Sequence, residues 1–93
     1  LHSGRIRFEN IPNQLNHKFM LAWLEVNIEP ANKHDNEQTP MPYYVSTIGQ
    51  YVQYAGETSL WHLELRGNQL KKIVEIVDPK MAVKFALECT HAK

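Results

Sequence analysis

Histidine is the side chain best suited to proton transfer near neutral pH, and this 93-residue chain has five, at His2, His17, His34, His62 and His91. None stands two, three or four residues from another, so no strand or helix face offers a ready pair of metal ligands. His34 with Asp35 and Glu37 falls in a polar stretch where nothing offsets the cost of ordering a metal site. His62 shares a strand face with Glu64 and is the best general base, but no serine or cysteine in a nucleophile motif accompanies it. Cys89 is the only cysteine, and its place among apolar residues marks it as a buried, inert thiol. There is no glycine-rich phosphate cradle. The expectation is a chain without catalytic residues, metal or cofactor, and a small enzyme using His62 ranks third among the functional readings.

The aromatic and charged residues are more suggestive. Tyr43, Tyr44, Tyr51 and Tyr54 fall within twelve residues of one another. On one strand Tyr43 and Tyr51 share a face and Tyr44 and Tyr54 the other, so one pair belongs to the core and the other to the surface. There a tyrosine offers large, rigid contact area at low entropy cost. Charge is unevenly placed: residues 25–58 hold Glu25, Glu29, Asp35, Glu37 and Glu57 against Lys33 alone, while both flanks are mildly basic. The expected partner-binding set is therefore Tyr43, Tyr44, Tyr51, Tyr54, Glu29, Asp35 and Glu37, meeting a protein with a basic surface. The alternative is single-stranded nucleic acid, with bases stacked on the sheet and phosphates met by Arg5, Arg7, Arg66 and Lys71. A formal net charge of zero is too balanced for a chain that depends on phosphate contacts, which ranks this second.

Several elements must position these residues. Between two runs rich in Leu, Ile and Val, Gly67-Asn68 suits a two-residue hairpin turn, pairing Leu65 with Leu70, Leu63 with Lys72 and Trp61 with Val74. The other face then pairs Glu64 with Lys71 and His62 with Ile73, and Lys72 extends its stem over the apolar face towards the rim. Asp78-Pro79 is an N-cap acceptor followed by the residue best suited to the first helical position. Met81, Ala82, Phe85, Ala86 and Cys89 then form the apolar stripe of a C-terminal helix lying on the Trp61 face. Upstream, residues 5–9 alternate as a short strand, and Leu24-Glu25-Val26-Asn27-Ile28-Glu29 alternates strictly. That alternation predicts a long strand from about Phe19 to Glu29, preceded by a helical turn over 13–18, with a helix capped near Asn13 as the alternative. Residues 30–42, with three prolines and few apolar side chains, read as a mobile loop. Residues 43–54, rich in Tyr, Val, Ile and Thr, read as a strand with a bulge at Gly49, with a helix presenting Tyr44, Ile48, Tyr51 and Val52 as the alternative.

The order predicts an α+β fold in one domain over 1–93: an antiparallel sheet of about five strands covered by a C-terminal α-helix. That outline resembles pleckstrin-homology-like modules, with an OB-like barrel as the alternative. The C-terminal helix lacks the tryptophan usual in the former, and no family is assigned. A lone cysteine points to the cytoplasm, and no apolar run approaches the ~20 residues of a membrane span. The leading function is a non-catalytic protein-interaction module, such as a small inhibitor, adaptor or assembly domain, with a protein partner and a homodimer also compatible.

Overall fold

The computed structural model describes residues 4–12, 14–32, 44–46, 51–67 and 71–90. Strand β1 (Ile6–Phe8) leads into helix α1 (His17–Asn27), and strands β2 (Tyr44–Ser46), β3 (Tyr51–Ala55), β4 (Trp61–Arg66) and β5 (Lys71–Ile76) follow. Helix α2 (Pro79–Phe85) continues as a π-helical turn over Ala86–Thr90. All pairings are antiparallel in the order β1-β5-β4-β3-β2, which makes the chain an α+β fold with an antiparallel sheet. Consecutive strands β2 to β5 form a meander, and the N-terminal strand closes its far side.

The hairpin that joins β4 to β5 keeps the expected faces but shifts their register by two residues. The described pairing starts at Arg66↔Lys71, and Gly67 takes φ 74°, a region open to glycine without strain. Trp61 then pairs with Ile76 and Leu63 with Val74, where the tighter turn would have set Leu63 against Lys72. An even shift leaves every side chain on its face while matching apolar with apolar. Glu64 accordingly opposes Ile73 rather than Lys71, and His62 opposes Glu75 rather than Ile73. Lys72, opposite Leu65, is only 7 % exposed and so lies deeper than a rim position.

Residues 19–29 correct the sequence reading: the chain forms α1, not a strand. Asn16 caps the helix by accepting from the Lys18 N–H at 2.7 Å. Met20, Trp23 and Leu24, spaced by three and four, are buried, whereas Val26 points away and is 84 % exposed. The alternation over 24–29 was therefore a coincidence of sequence, overridden by the stripe that meets the core. Residues 43–54 differ too, since the chain there makes two paired strands, with Val45 opposite Val52, and not one bulged strand. Gly49 and most of the expected 30–42 loop lie outside the described residues.

Helix α2 starts as the Asp78-Pro79 pair predicts, with the Asp78 carboxylate accepting from the Lys80 N–H at 3.0 Å. Both helices lie on one face of the sheet. There Trp61, Leu63, Val74 and Ile76 pack with Met20, Trp23 and Leu24 of α1 and with Ala82, Phe85 and Cys89 of the C-terminal segment. Phe85 stands edge-on to both Phe8 and Trp23, with ring centroids 5.0 and 5.5 Å away. Two polar contacts lock the helices together: Trp23 Nε1 donates to Glu88 at 2.9 Å, and Lys84 donates to Asn27 Oδ1 at 3.2 Å. Burial, with Glu88 second, pushes the Cys89 thiol up to about 11, which fits an inert thiol.

Candidate functional site

Three surfaces concentrate polar or unpartnered groups: the sheet face opposite the helices, the junction between α1 and the β3–β4 turn, and the outer side of the helical layer.

The pleat alternates side chains, so the face opposite the helices carries Arg7 from β1, Glu75 and Lys71 from β5, His62, Glu64 and Arg66 from β4, and Tyr51 and Gln53 from β3. Its charges are matched locally. Arg7 donates to Glu9 at 2.6 Å and to Glu75 at 3.0 Å, and these two carboxylates raise its pKa further. Arg66 holds Glu64 at 3.0 Å, Lys71 approaches Glu9 at 3.9 Å, and Arg5 approaches Glu75 at 3.8 Å. The four cations assigned to phosphate contacts, Arg5, Arg7, Arg66 and Lys71, are thus each beside a carboxylate. A phosphate backbone would have to displace those partners before gaining anything from them.

His62 lies within this layer at 9 % exposure, and its Nδ1 has no hydrogen-bonding partner among the protein groups. Burial lowers its pKa, Arg5 lowers it further, and Glu75 and Glu64 oppose the shift. A neutral imidazole near pH 7 could act as a base. Its cross-strand neighbours are Glu75 and Ala55, and Arg5 lies near enough to act on it. Among the described residues no three His, Cys, Asp or Glu side chains gather where they could hold a metal ion.

Of the expected partner-binding residues, the described ones are Glu29, Tyr51, Tyr54 and the backbone of Tyr44. Tyr51 is half-buried on the outer face, where its hydroxyl donates to Gln53 at 3.1 Å and the Arg66 guanidinium lies 5.4 Å over its ring. Burial, followed by Glu64, raises the Tyr51 pKa. Tyr54 is on the opposite face, packed against the core. Tyr44 belongs to β2, opposite Gln53, and Tyr43, Asp35 and Glu37 lie outside the described residues.

Glu29 requires a correction. It is 9 % exposed, and its carboxylate accepts from the Thr58 N–H at 3.1 Å, from the Thr58 hydroxyl, and from the Leu60 N–H at 2.8 Å. Its backbone carbonyl accepts from Trp61 Nε1 at 2.9 Å. Glu29 therefore ties the end of α1 to the turn between β3 and β4, and a partner would reach it only by opening that turn. Ser59, at φ 62°, bends the chain around the carboxylate, and a Cβ on Gly56 would overlap it. Glu25 has a related task, accepting from the Ala31 N–H at 3.0 Å. Two members of the acidic middle are thus engaged in holding the fold.

The outer side of the helical layer was missed. Val83 and Leu87, four residues apart on the C-terminal helical segment, are 59 % and 66 % exposed, and Val26 of α1 is the most exposed large apolar residue described. The signal was present in the sequence: Val83 and Leu87 sit at helical spacing outside the apolar stripe that satisfies the core. No helix is long and apolar enough to cross a membrane among the described residues. No family model, curated protein or solved structure matches the chain.

Proposed function

We propose that this chain is a non-catalytic protein-interaction module that docks through the outer side of its helical layer. The observation that carries this reading is the exposure of Val83 and Leu87 one turn apart, with Val26 exposed on the neighbouring helix. Exposed apolar side chains scattered singly are ordinary, but repeated ones on the same helical segment suit a partner that presents an apolar surface of its own. The balanced outer sheet face supports the same choice, because its cations are already neutralised and nucleic acid would find few of them free of carboxylates. Tyr51 contributes only if the partner also reaches that face, and the roles of Tyr43, Tyr44, Asp35 and Glu37 stay part of the proposal. The likeness to pleckstrin-homology or OB modules plays no part in this reading, since α1 precedes β2 and strands β1 and β2 stand at opposite sheet edges.

A photo-crosslinking residue at position 87, compared with one at position 66 on the outer sheet face, tests the reading in cells that make the protein. A discrete protein adduct from position 87 that disappears on Val83→Ser supports it. An adduct from position 66 alone, or nucleic acid captured there, overturns it. A doubled mass of the chain itself would identify the partner as a second copy.

A further inference from the structure

The group that this function leaves unused is His62. Its ring is buried in the charged layer, directly opposite Glu75 in the β4–β5 pairing and opposite Ala55 in the β3–β4 pairing. Glu64, two residues along its own strand, is held by Arg66. Arg5, at the entrance to β1, reaches over this row with long contacts, 3.5 Å to the Ser59 carbonyl and 3.8 Å to Glu75, and its Nε is buried without a partner. Glu75 is shared: Arg7 holds one oxygen at 3.0 Å, and Arg5 lies nearer the other. Arg5 precedes β1 and Arg7 is its middle residue; the strand is three residues long and is the edge strand beside β5.

A neutral imidazole carries one N–H, whereas an imidazolium carries two donors and a positive charge. Uptake of a proton from solvent therefore places a second obligatory donor in this layer and a cation beside Arg5. Glu75 is the carboxylate straight across, and Glu64 is the one next along the strand.

We propose that His62 is a proton-operated latch for the N-terminal edge of the sheet: once protonated, it claims the Glu75 carboxylate, repels Arg5, and loosens β1 from β5. The energetic sign agrees. Because folding depresses the His62 pKa, the stability tied to its neutral form is complete above the ordinary histidine value and is lost as pH falls below it towards the depressed value. The core side of β1, where Phe8 meets Phe85, is unaffected by the proton, so the strand loosens without the domain unfolding.

Amide exchange in the whole chain at pH 7.5 and pH 5.5, corrected for intrinsic rates, tests the latch. Exchange at residues 6–8 should rise roughly three- to tenfold relative to residues 61–65 on acidification, the range expected from losing one or two ion pairs. His62→Gln should flatten that response, His17→Gln should retain it, and Glu75→Gln should make residues 6–8 exchange fast at both pH values. An unchanged ratio in the native chain, or a full response in His62→Gln, overturns the proposal. Should His62→Gln fail to fold, the native chain still decides. Ring resonances of His62, the Glu75 carboxyl carbon and the exchange of β1 must titrate with one midpoint, and separate midpoints overturn it.

Discussion

The two faces of the sheet are stabilised in different ways. On the helix side Trp61, Leu63, Val74 and Ile76 are fully buried among carbon atoms, and each contributes through area removed from water. On the other side Arg7, Glu75, Glu64 and Arg66 form pairs that remain partly wet, where Coulomb attraction and desolvation nearly offset one another. Glu29 and Glu75 sharpen the contrast between sites. One carboxylate is surrounded by donors of a turn and holds two elements together; the other is shared between two arginines. Removing the first strands the Thr58 and Leu60 N–H groups, whereas removing the second leaves Arg7 with Glu9 still beside it.

Substitutions on each face should separate these roles. Trp61→Ala should have the largest effect, a loss of roughly 3–5 kcal/mol in urea unfolding, since it empties the core centre and abandons the bond to the Glu29 carbonyl. A loss near 1 kcal/mol would mean the helices do not depend on the sheet. Glu29→Gln comes next, at about 2–4 kcal/mol, because an amide NH2 facing the Thr58 and Leu60 donors leaves at least one unsatisfied. If its melting curve matched that of the native chain, the turn would not need the carboxylate.

Asp78→Ala should remove about 1 kcal/mol through loss of the α2 cap, visible as a small shift of the chemical-denaturation midpoint. Arg66→Ala on the outer face should cost about 1 kcal/mol or less, and the difference should shrink in high salt. A salt-independent loss above that of Asp78→Ala would erase the distinction between the faces.

What the sequence made legible was local chemistry. Gly67 marked the hairpin, Asp78-Pro79 marked the start of α2, and Trp61, Phe85 and Cys89 took their places in the core. Alternation failed at Leu24 to Glu29 because a six-residue pattern satisfies period two by chance. The stripe of Met20, Trp23 and Leu24 begins upstream and is satisfied only by the sheet beneath it. The hairpin register escaped for a related reason: both loop lengths keep Trp61 inward, and the choice rests on whether Leu63 meets Lys72 or Val74. Glu29 looked like a surface acid because its partners, Thr58 and Leu60, lie about thirty residues away and are mostly backbone N–H groups that carry no signature in the sequence. The exposed pair Val83 and Leu87 was readable as surplus to the core stripe, although the side of the helix it would occupy required the sheet to be in place.

The pairing of β1 with β5 also has a consequence in time. Phe8 finds its partner at Val74, in the last of the described strands, so β1 must wait for β5 to be synthesised. At a synthesis rate of roughly 5–20 residues per second, that interval is roughly 3–13 s. Meanwhile Ile6 and Phe8 belong to an extended segment with no sheet to join. Arg5, Arg7 and Glu9 flank them with charge, the kind of residue that discourages pairing with other nascent chains. The same side chains that later fasten the edge of the sheet thus also surround its apolar residues with charge before that edge exists.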